Sequence, residues 1–159
     1  SIGNFEPVEA GRFLHRVGCL LGPGGKLLVG VDLIKDADVL HAAYNDARGV
    51  TADFNLNLLR RINRELDGAF DLDAFRHQAH YNRELNRIEM HLVSRREQRV
   101  SVAGETFDFR QDESIHTENS YKYGLDGFRN LAGSAGFVSE RVWTDPEGLF
   151  SVHCLRFEG

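Results

Sequence analysis

The residues best suited to bind a ligand are concentrated in one polar segment between positions 116 and 123. A helix is predicted shortly afterwards, and helix capping would explain Asn119 or Ser120 but not the whole group. Convergent polar groups at the boundary of an element are typical of a ligand site, so we predict that this segment binds a small molecule. Its residues are His116, Thr117, Glu118, Asn119, Ser120, Tyr121, Lys122 and Tyr123.

Three residues outside this segment are further candidates, each with an alternative interpretation. Asn4 follows a predicted strand end, where a parallel sheet opens onto its ligand, but it could equally cap the helix that begins near residue 7. Tyr44 ends a short predicted helix and could either pack in the core or offer its hydroxyl to a carboxylate. Met90 lies on a predicted strand, on the same side as Ile88 and Leu92, and is expected in the core.

Metal binding and covalent catalysis are not favoured by the sequence. His77 and His80 lie on a predicted strand, where their spacing directs them to opposite faces, which disfavours zinc. Cys19 lies on an apolar helix face, and the chain has no Gly-x-Ser-x-Gly turn that would present a nucleophile. We therefore predict neither a metal site nor a nucleophilic residue.

An α/β core is predicted to position these side chains. Apolar residues recur at helical spacing over 7–21, with Pro7 suited to the first helical position. The glycine-rich segment 22–25 breaks this helix, and the apolar run 27–33 predicts a strand that is buried on both faces, as in a parallel sheet covered by helices.

A mixed subdomain is predicted to interrupt this core at residues 36–117. Helical patterns at 36–46 and 54–66 are followed by alternating segments that predict antiparallel strands. The core resumes over 118–159 with a helix and a terminal antiparallel hairpin. We accordingly divide the chain into a first core part at 1–35, the inserted subdomain, and a second core part.

A nucleotide-type binding loop is missing from this pattern. Such a loop is a glycine-rich turn that follows a strand and opens onto a helix. Gly22, Gly24 and Gly25 instead precede a strand, which indicates a helix stop. We therefore expect this chain to be the C-terminal part of an enzyme whose N-terminal half carries the cofactor loop.

Composition and charge exclude several classes of partner. The net charge is −5, and no stretch interleaves basic and aromatic residues as a nucleic-acid surface does, so we expect no nucleic acid. No apolar run approaches the roughly 20 residues of a membrane span. Cys19 and Cys154 lie in apolar surroundings, which predicts two buried thiols in a reducing compartment and a cytoplasmic protein.

Several long motifs resemble the histidine-specific SAM-dependent methyltransferases, which make the trimethylated histidine hercynine in ergothioneine biosynthesis. The resemblance covers essentially the whole chain. It implies an α/β fold, the C-terminal half of a class I SAM-dependent methyltransferase with an inserted α+β substrate-binding subdomain. The motifs are Ile2-Gly3-Asn4-Phe5, Leu21-Gly22-Pro23-Gly24-Gly25, Gly30-Val31-Asp32-Leu33, Ala43-Tyr44-Asn45-Asp46, Gly49-Val50-Thr51-Ala52, Phe54-Asn55-Leu56-Asn57, residues 87–93 and residues 116–123.

The resemblance also implies roles for individual residues. Asn4 and Tyr44 would hold the α-amino acid end of L-histidine. Glu118 and Ser120 would bind the imidazole, and Met90 would line that pocket. S-adenosyl-L-methionine would be the co-substrate, bound mostly by the N-terminal half, so the cofactor-binding residues are unknown and this chain alone is expected to be inactive.

The implied reaction is direct displacement, in which the neutral α-amine attacks the methyl group of the SAM sulfonium. Positioning would carry most of the catalysis. Two alternatives stay open: a methyltransferase for another amino acid such as a tryptophan derivative, and a non-catalytic module that binds an amino acid.

Overall fold

The computed structural model describes residues 2–159 and forms two compact units. The core unit comprises Ser1–Asp36, Asn82–Arg87 and Asn119–Gly159. The insert unit comprises Ala37–Tyr81 and Ile88–Glu118.

Four α-helices and eight strands occur in the described residues, together with 3-10 turns at Ile2–Asn4 and Leu72–Ala74. The helices are α1 (Pro7–Leu21), α2 (Ala37–Tyr44), α3 (Val50–Glu65) and α4 (Leu125–Ser134). The strands are β1 (Lys26–Asp32), β2 (Phe75–Asn82), β3 (Arg87–Ser94), β4 (Gln98–Val102), β5 (Glu105–Phe109), β6 (Ser114–Tyr121), β7 (Phe137–Thr144) and β8 (Phe150–Phe157).

The core unit is a three-stranded sheet with helices α1 and α4. The strand order is β1-β8-β7, and β8 pairs antiparallel with both neighbours. The predicted terminal hairpin is confirmed, and its turn is closed by Asp145, whose carboxylate accepts hydrogen bonds from the backbone N–H groups of Leu149 and Phe150. The predicted helix α1 is confirmed, but its buried face is made by Ala10, Leu14 and Gly18. Most of the apolar residues whose spacing predicted the helix are exposed: Val8, Phe13, Leu20 and Leu21.

Strand β1 differs from its prediction. We expected burial on both faces within a parallel sheet, but Val31 is buried while Leu28 is 66% exposed. Leu27, Val29 and Val31 alternate onto the face that packs with the core of α1 and α4, whereas the other face stays open in the described residues. The neighbour of β1 is the antiparallel strand β8, and an isolated parallel bridge joins Leu33, just after β1, to Tyr123.

The insert unit combines helices α2 and α3 with a sheet of order β2-β3-β6 and a hairpin of β4 and β5. This confirms the predicted helices and strands between residues 36 and 117. One apolar cluster includes Leu59, Phe75 and Leu92, and a second gathers around Ile88 and Met90.

Two local expectations are corrected by the structure. Cys19 is exposed rather than buried, because α1 turns the opposite side, with Leu14 and Gly18, to the core. Asn119 and Ser120 lie inside strand β6 and are not caps, since α4 begins after Gly124. No helix in the described part of the chain is long and apolar enough to cross a membrane.

Candidate functional site

Strand β6 carries Glu118 and Ser120 at alternate positions, so the backbone directs both side chains to one face of the strand. Within the insert unit, Glu118 lines a pocket of about 180 Å³. The other lining residues are Phe54, Asn55, Asn57, Leu58, Arg61 and Thr117.

The chemistry of this pocket suits a small, flat group that donates a hydrogen bond. Phe54 and Leu58 supply an apolar wall and are only partly covered by the protein. Arg61 is engaged by Glu65, with its guanidinium 3.0 Å from that carboxylate. Glu118 is therefore an acidic acceptor beside an apolar surface, an arrangement typical of a ligand pocket.

Asn55 is a buried polar hub behind the pocket. Its Nδ2 group donates to His77 Nδ1 at 3.0 Å and to the His91 carbonyl at 3.1 Å. Its Oδ1 lies 2.7 Å from the hydroxyl of Thr117, which is also 3.0 Å from the carbonyl of Met90. The amide thus satisfies both of its donor hydrogens and its acceptor, and it ties α3 to strands β2, β3 and β6.

Tyr44 is anchored by hydrogen bonds to strand β2. The His77 ring donates through Nε2 to the Tyr44 carbonyl at 2.8 Å, because a carbonyl can only accept. This places the proton on Nε2 and leaves Nδ1 to accept from Asn55. The next residue, Asn45, exchanges two hydrogen bonds of 3.0 Å with the backbone of Ala79.

Met90 and Tyr44 come together in one apolar cluster of the insert unit. Met90 is 3% exposed and packs with Leu40 and Ala79, while Tyr44 is partly buried against the same cluster. The expected core position of Met90 is confirmed. The hydroxyl of Thr117 connects the Met90 backbone to the strand position directly before Glu118.

In the core unit, Ser120 is held by a chain of charged groups. Its hydroxyl lies 2.8 Å from Nζ of Lys122, whose side chain is fully buried. Lys122 Nζ lies 2.7 Å from one carboxylate oxygen of Asp32, and Lys35 Nζ lies 2.5 Å from the other. Burial alone would raise the pKa of Asp32, but the hydrogen bonds from Lys122 and Lys35 lower it below its ordinary value.

Asn4 lies in the first 3-10 turn, and the structure does not make it the cap of α1. Glu6 occupies the position before that helix and makes no capping hydrogen bond. Its carboxylate instead accepts hydrogen bonds from the Tyr121 hydroxyl and from Arg87. Gly3 touches the end of β6, where an added Cβ would lie 2.8 Å from the Tyr121 carbonyl. These contacts hold the Asn4 turn against the segment that carries Ser120.

The supporting residues were missed by the sequence argument. Asn55 could have been found, because it lies four residues before Leu59 on the apolar face of α3, where a polar residue needs a partner. The burial of Lys122 could not have been found in the same way, because no pattern in the neighbouring sequence indicates it.

The glycine-rich turn after α1 does not fit a cofactor loop. The Gly24 N–H donates to the Phe157 carbonyl at 2.8 Å, and the Gly25 N–H donates to the Gly22 carbonyl at 2.9 Å. These N–H groups stabilise the connection to β1 and are not directed at a ligand. This turn is therefore not assigned a SAM contact.

Similar proteins are methyltransferases. A family model described as histidine-specific methyltransferase, SAM-dependent, matches residues 1–157. The histidine N-alpha-methyltransferase of Mycolicibacterium smegmatis is 44% identical over 154 residues, which cover 96% of this chain and 48% of that protein. The ergothioneine biosynthesis protein 1 of Neurospora crassa is 31% identical over 158 residues, covering 91% of this chain and 16% of that protein.

Among solved structures, an S-adenosylmethionine-dependent methyltransferase from Clostridium acetobutylicum has a similar fold. The TM-score is 0.50 at 10% sequence identity, with 100% of this chain and 55% of the other covered. The chain therefore spans about half the length of that structure, as it does of its mycobacterial relative.

Proposed function

The chain belongs to the histidine-specific, SAM-dependent methyltransferase family, and on that basis we propose that it supplies the histidine-binding part of an enzyme that methylates the α-amine of L-histidine. The similar solved structure confirms the predicted α/β methyltransferase fold. The observation that carries the proposal is Glu118, a carboxylate that lines a small pocket beside an apolar wall. An imidazole needs such an acceptor for one ring N–H group.

Ser120 supplies the second imidazole contact in this proposal. Lys122 can only donate to the Ser120 hydroxyl oxygen, so the serine's own proton points away from Lys122. With Glu118 accepting from one nitrogen and Ser120 donating to the other, the ligand would be neutral imidazole. An indole has only one ring nitrogen and would leave a polar partner unpaired, which disfavours a tryptophan derivative.

The remaining roles follow the family resemblance. Tyr44 and Asn4 would bind the α-amino acid end of histidine. Tyr44 ends α2 and is tied to β2 through its carbonyl and through Asn45, and Asn4 lies in a 3-10 turn that packs closely on the end of β6. Met90 would shape the imidazole side, acting through its packed volume rather than through a polar contact. Pre-positioned contacts of this kind lower the entropic cost of holding the amine in line for attack.

In the proposed reaction the α-ammonium first loses one proton, and the neutral nitrogen then forms a bond to the methyl carbon of SAM as the methyl–sulfur bond breaks and its electron pair stays on sulfur. SAM supplies the methyl group, and an N-terminal half of the same enzyme would hold it. Repetition up to the trimethylated product, hercynine, for ergothioneine biosynthesis is part of the proposal.

Calorimetric titration of L-histidine tests the proposal directly. We would compare wild type with Glu118→Ala and with the control Glu105→Ala, which removes an exposed carboxylate from β5. Each protein would be titrated as this chain alone and as the complete enzyme with SAM, and the products would be identified by mass spectrometry. We expect Glu118→Ala to lower histidine affinity at least tenfold, Glu105→Ala to leave it unchanged, and trimethylhistidine to form only in the complete enzyme.

Two results would contradict this assignment. Histidine affinity that is unaffected by Glu118→Ala would remove Glu118 from the binding site. Methylation of L-tryptophan in preference to L-histidine by the complete enzyme would leave the methyltransferase fold but refute the substrate.

A further inference from the structure

Three side chains of strands β2 and β3 converge outside the Glu118 pocket. These are His80, Glu89 and His91, which we call the His80–Glu89–His91 cluster, and their potential ligand atoms all lie within 4.8 Å of one another. Because strand residues alternate between faces, Glu89 and His91 leave β3 on the same face, and His80 meets them from β2. All three belong to the insert unit.

The distances in this cluster approach those of a metal-ligand set. His80 Nε2 lies 3.0 Å from Glu89 Oε2, and His91 Nε2 lies 3.7 Å from the same oxygen. In a tetrahedral zinc site with bonds of roughly 2.0–2.1 Å, neighbouring donor atoms are about 3.3–3.4 Å apart. The two observed distances, 3.0 and 3.7 Å, lie on either side of this value, so the spacing of these atoms is close to that of zinc ligands.

The His91 ring is oriented by a hydrogen bond, as metal-bound histidines commonly are. Its Nδ1 lies 3.1 Å from the Ser114 hydroxyl, a contact that leaves Nε2 as the atom facing Glu89. A metal-bound histidine commonly uses its second nitrogen in such a hydrogen bond, which fixes the orientation of the ring.

His91 Nε2 also lacks a partner that would explain its position. It is buried, has no hydrogen-bond partner in the described residues, and lies beyond hydrogen-bond distance from Glu89. A buried polar atom without a partner costs free energy, which a bound cation would recover.

We propose that the His80–Glu89–His91 cluster binds a divalent transition metal ion such as Zn²⁺. Two imidazole nitrogens and one carboxylate oxygen favour zinc or cobalt over magnesium or calcium, which prefer oxygen ligands. The proposal differs from the sequence-based prediction of no metal, which compared His77 with His80 and did not pair His80 with strand β3.

Metal binding would require one side chain to turn. The His80 ring is stacked on the His91 ring, with centroids 5.1 Å apart and planes 19° from parallel. Two stacked rings cannot both direct a lone pair at one ion. The His80 side chain is 43% exposed and has room to rotate out of the stack, whereas Glu89 and His91 are held in place by burial. The ion would then be bound by His80 of β2 and by the two residues that flank Met90 on β3, Glu89 and His91. Water would complete its coordination.

Titration of Co²⁺ and Zn²⁺ into the full, tag-free chain after treatment with a chelator tests this proposal. Wild type would be compared with His80→Gln and Glu89→Gln, and with His41→Gln, which replaces an exposed histidine of α2. We expect one equivalent of Co²⁺ to bind and to show the visible absorption of a Co²⁺ ion with a low coordination number. Zn²⁺ should displace the Co²⁺ and abolish this absorption. His80→Gln and Glu89→Gln should each weaken binding at least tenfold, and His41→Gln should not.

His80→Gln is the decisive variant, since the exposed position tolerates substitution even if Glu89→Gln fails to fold. Absence of a one-equivalent site in wild type would overturn the proposal, as would Co²⁺ affinity that is unchanged in His80→Gln. The readout is independent of histidine binding, so failure here leaves the proposed methyltransferase function intact.

Discussion

In the two units of this protein, the residues proposed to bind the substrate are held by hydrogen-bond networks that differ in charge. In the insert unit, the hub around Asn55 is built from an amide, a neutral imidazole, a hydroxyl and backbone carbonyls. In the core unit, Ser120 is held by Lys122, which pairs with Asp32. One network is neutral throughout and the other is a buried ion pair.

This difference predicts different consequences for the ligand. The neutral network fixes backbone positions at Tyr44 and Met90 and contributes no net charge to the pocket. The Lys122–Asp32 pair directs the proton of Ser120 and so selects which hydrogen bond that hydroxyl can make. The Asn55 network therefore determines the positions of the binding residues, and the Lys122–Asp32 pair determines the direction of the Ser120 hydrogen bond.

Removing the charge of Lys122 should have the largest effect on stability. Breaking a buried ion pair by losing one partner costs about 3–5 kcal/mol, because the remaining charge stays buried. Asp32 keeps Lys35 and some solvent contact, so we expect Lys122→Met to lower the free energy of unfolding by about 3 kcal/mol. Urea denaturation at neutral pH measures this change.

The matched control is Lys26→Met, which removes a lysine from the exposed pair with Glu140. Exposed ion pairs are screened by water and contribute little, so its effect should be much smaller. Equal effects of the two lysine variants would show that Lys122 does not act through a buried charge pair.

Disrupting the neutral hub should have the next largest effect. Asn55→Ala leaves His77 Nδ1 and the His91 carbonyl without their donor, at a cost of about 1–3 kcal/mol per buried unsatisfied group. Relaxation of the structure around the substitution will make the total smaller than the sum of the two costs. We expect the free energy of unfolding, measured by urea denaturation, to fall by about 2–3 kcal/mol. Asn57→Ala serves as the control, since Asn57 lines the same pocket from an exposed position on α3. A small effect at Asn55 would refute its role as a hub.

Much of the fold could be predicted because its signals are local. The apolar spacing and Pro7 predict α1, and the residues around Asp145 predict the turn between β7 and β8. The exposure of Leu28 could not be predicted, since an apolar run does not reveal which of its faces is covered.

The candidate site was less accessible to sequence reasoning. The polar segment 116–123 was recognised from composition, but the roles of Glu118 and Ser120 came from family resemblance and stay proposals. The contacts that support them join distant positions, as Asn55 meets Thr117 across 62 residues of sequence. Such pairings depend on the fold and have no local pattern.

The smallest of the three expected effects is a difference in acid sensitivity between the networks. The pKa of Asp32 is lower in the folded protein than its ordinary value of 3.8, because the hydrogen bonds from Lys122 and Lys35 outweigh burial. Its contribution to stability is therefore fully present above about pH 4 and is lost as the pH falls through the folded-state pKa.

Asp32→Asn should thus reduce the loss of stability between pH 6 and pH 3, even though the variant is less stable at neutral pH. Ser120→Ala removes the neutral partner of Lys122 but keeps the carboxylate, so it should retain the acid dependence of wild type. Thermal unfolding of the three proteins across this pH range measures the difference. An identical acid dependence in wild type and Asp32→Asn would mean that the charge of Asp32 does not stabilise the segment that holds Ser120, and the contrast between the two networks would lose its electrostatic basis.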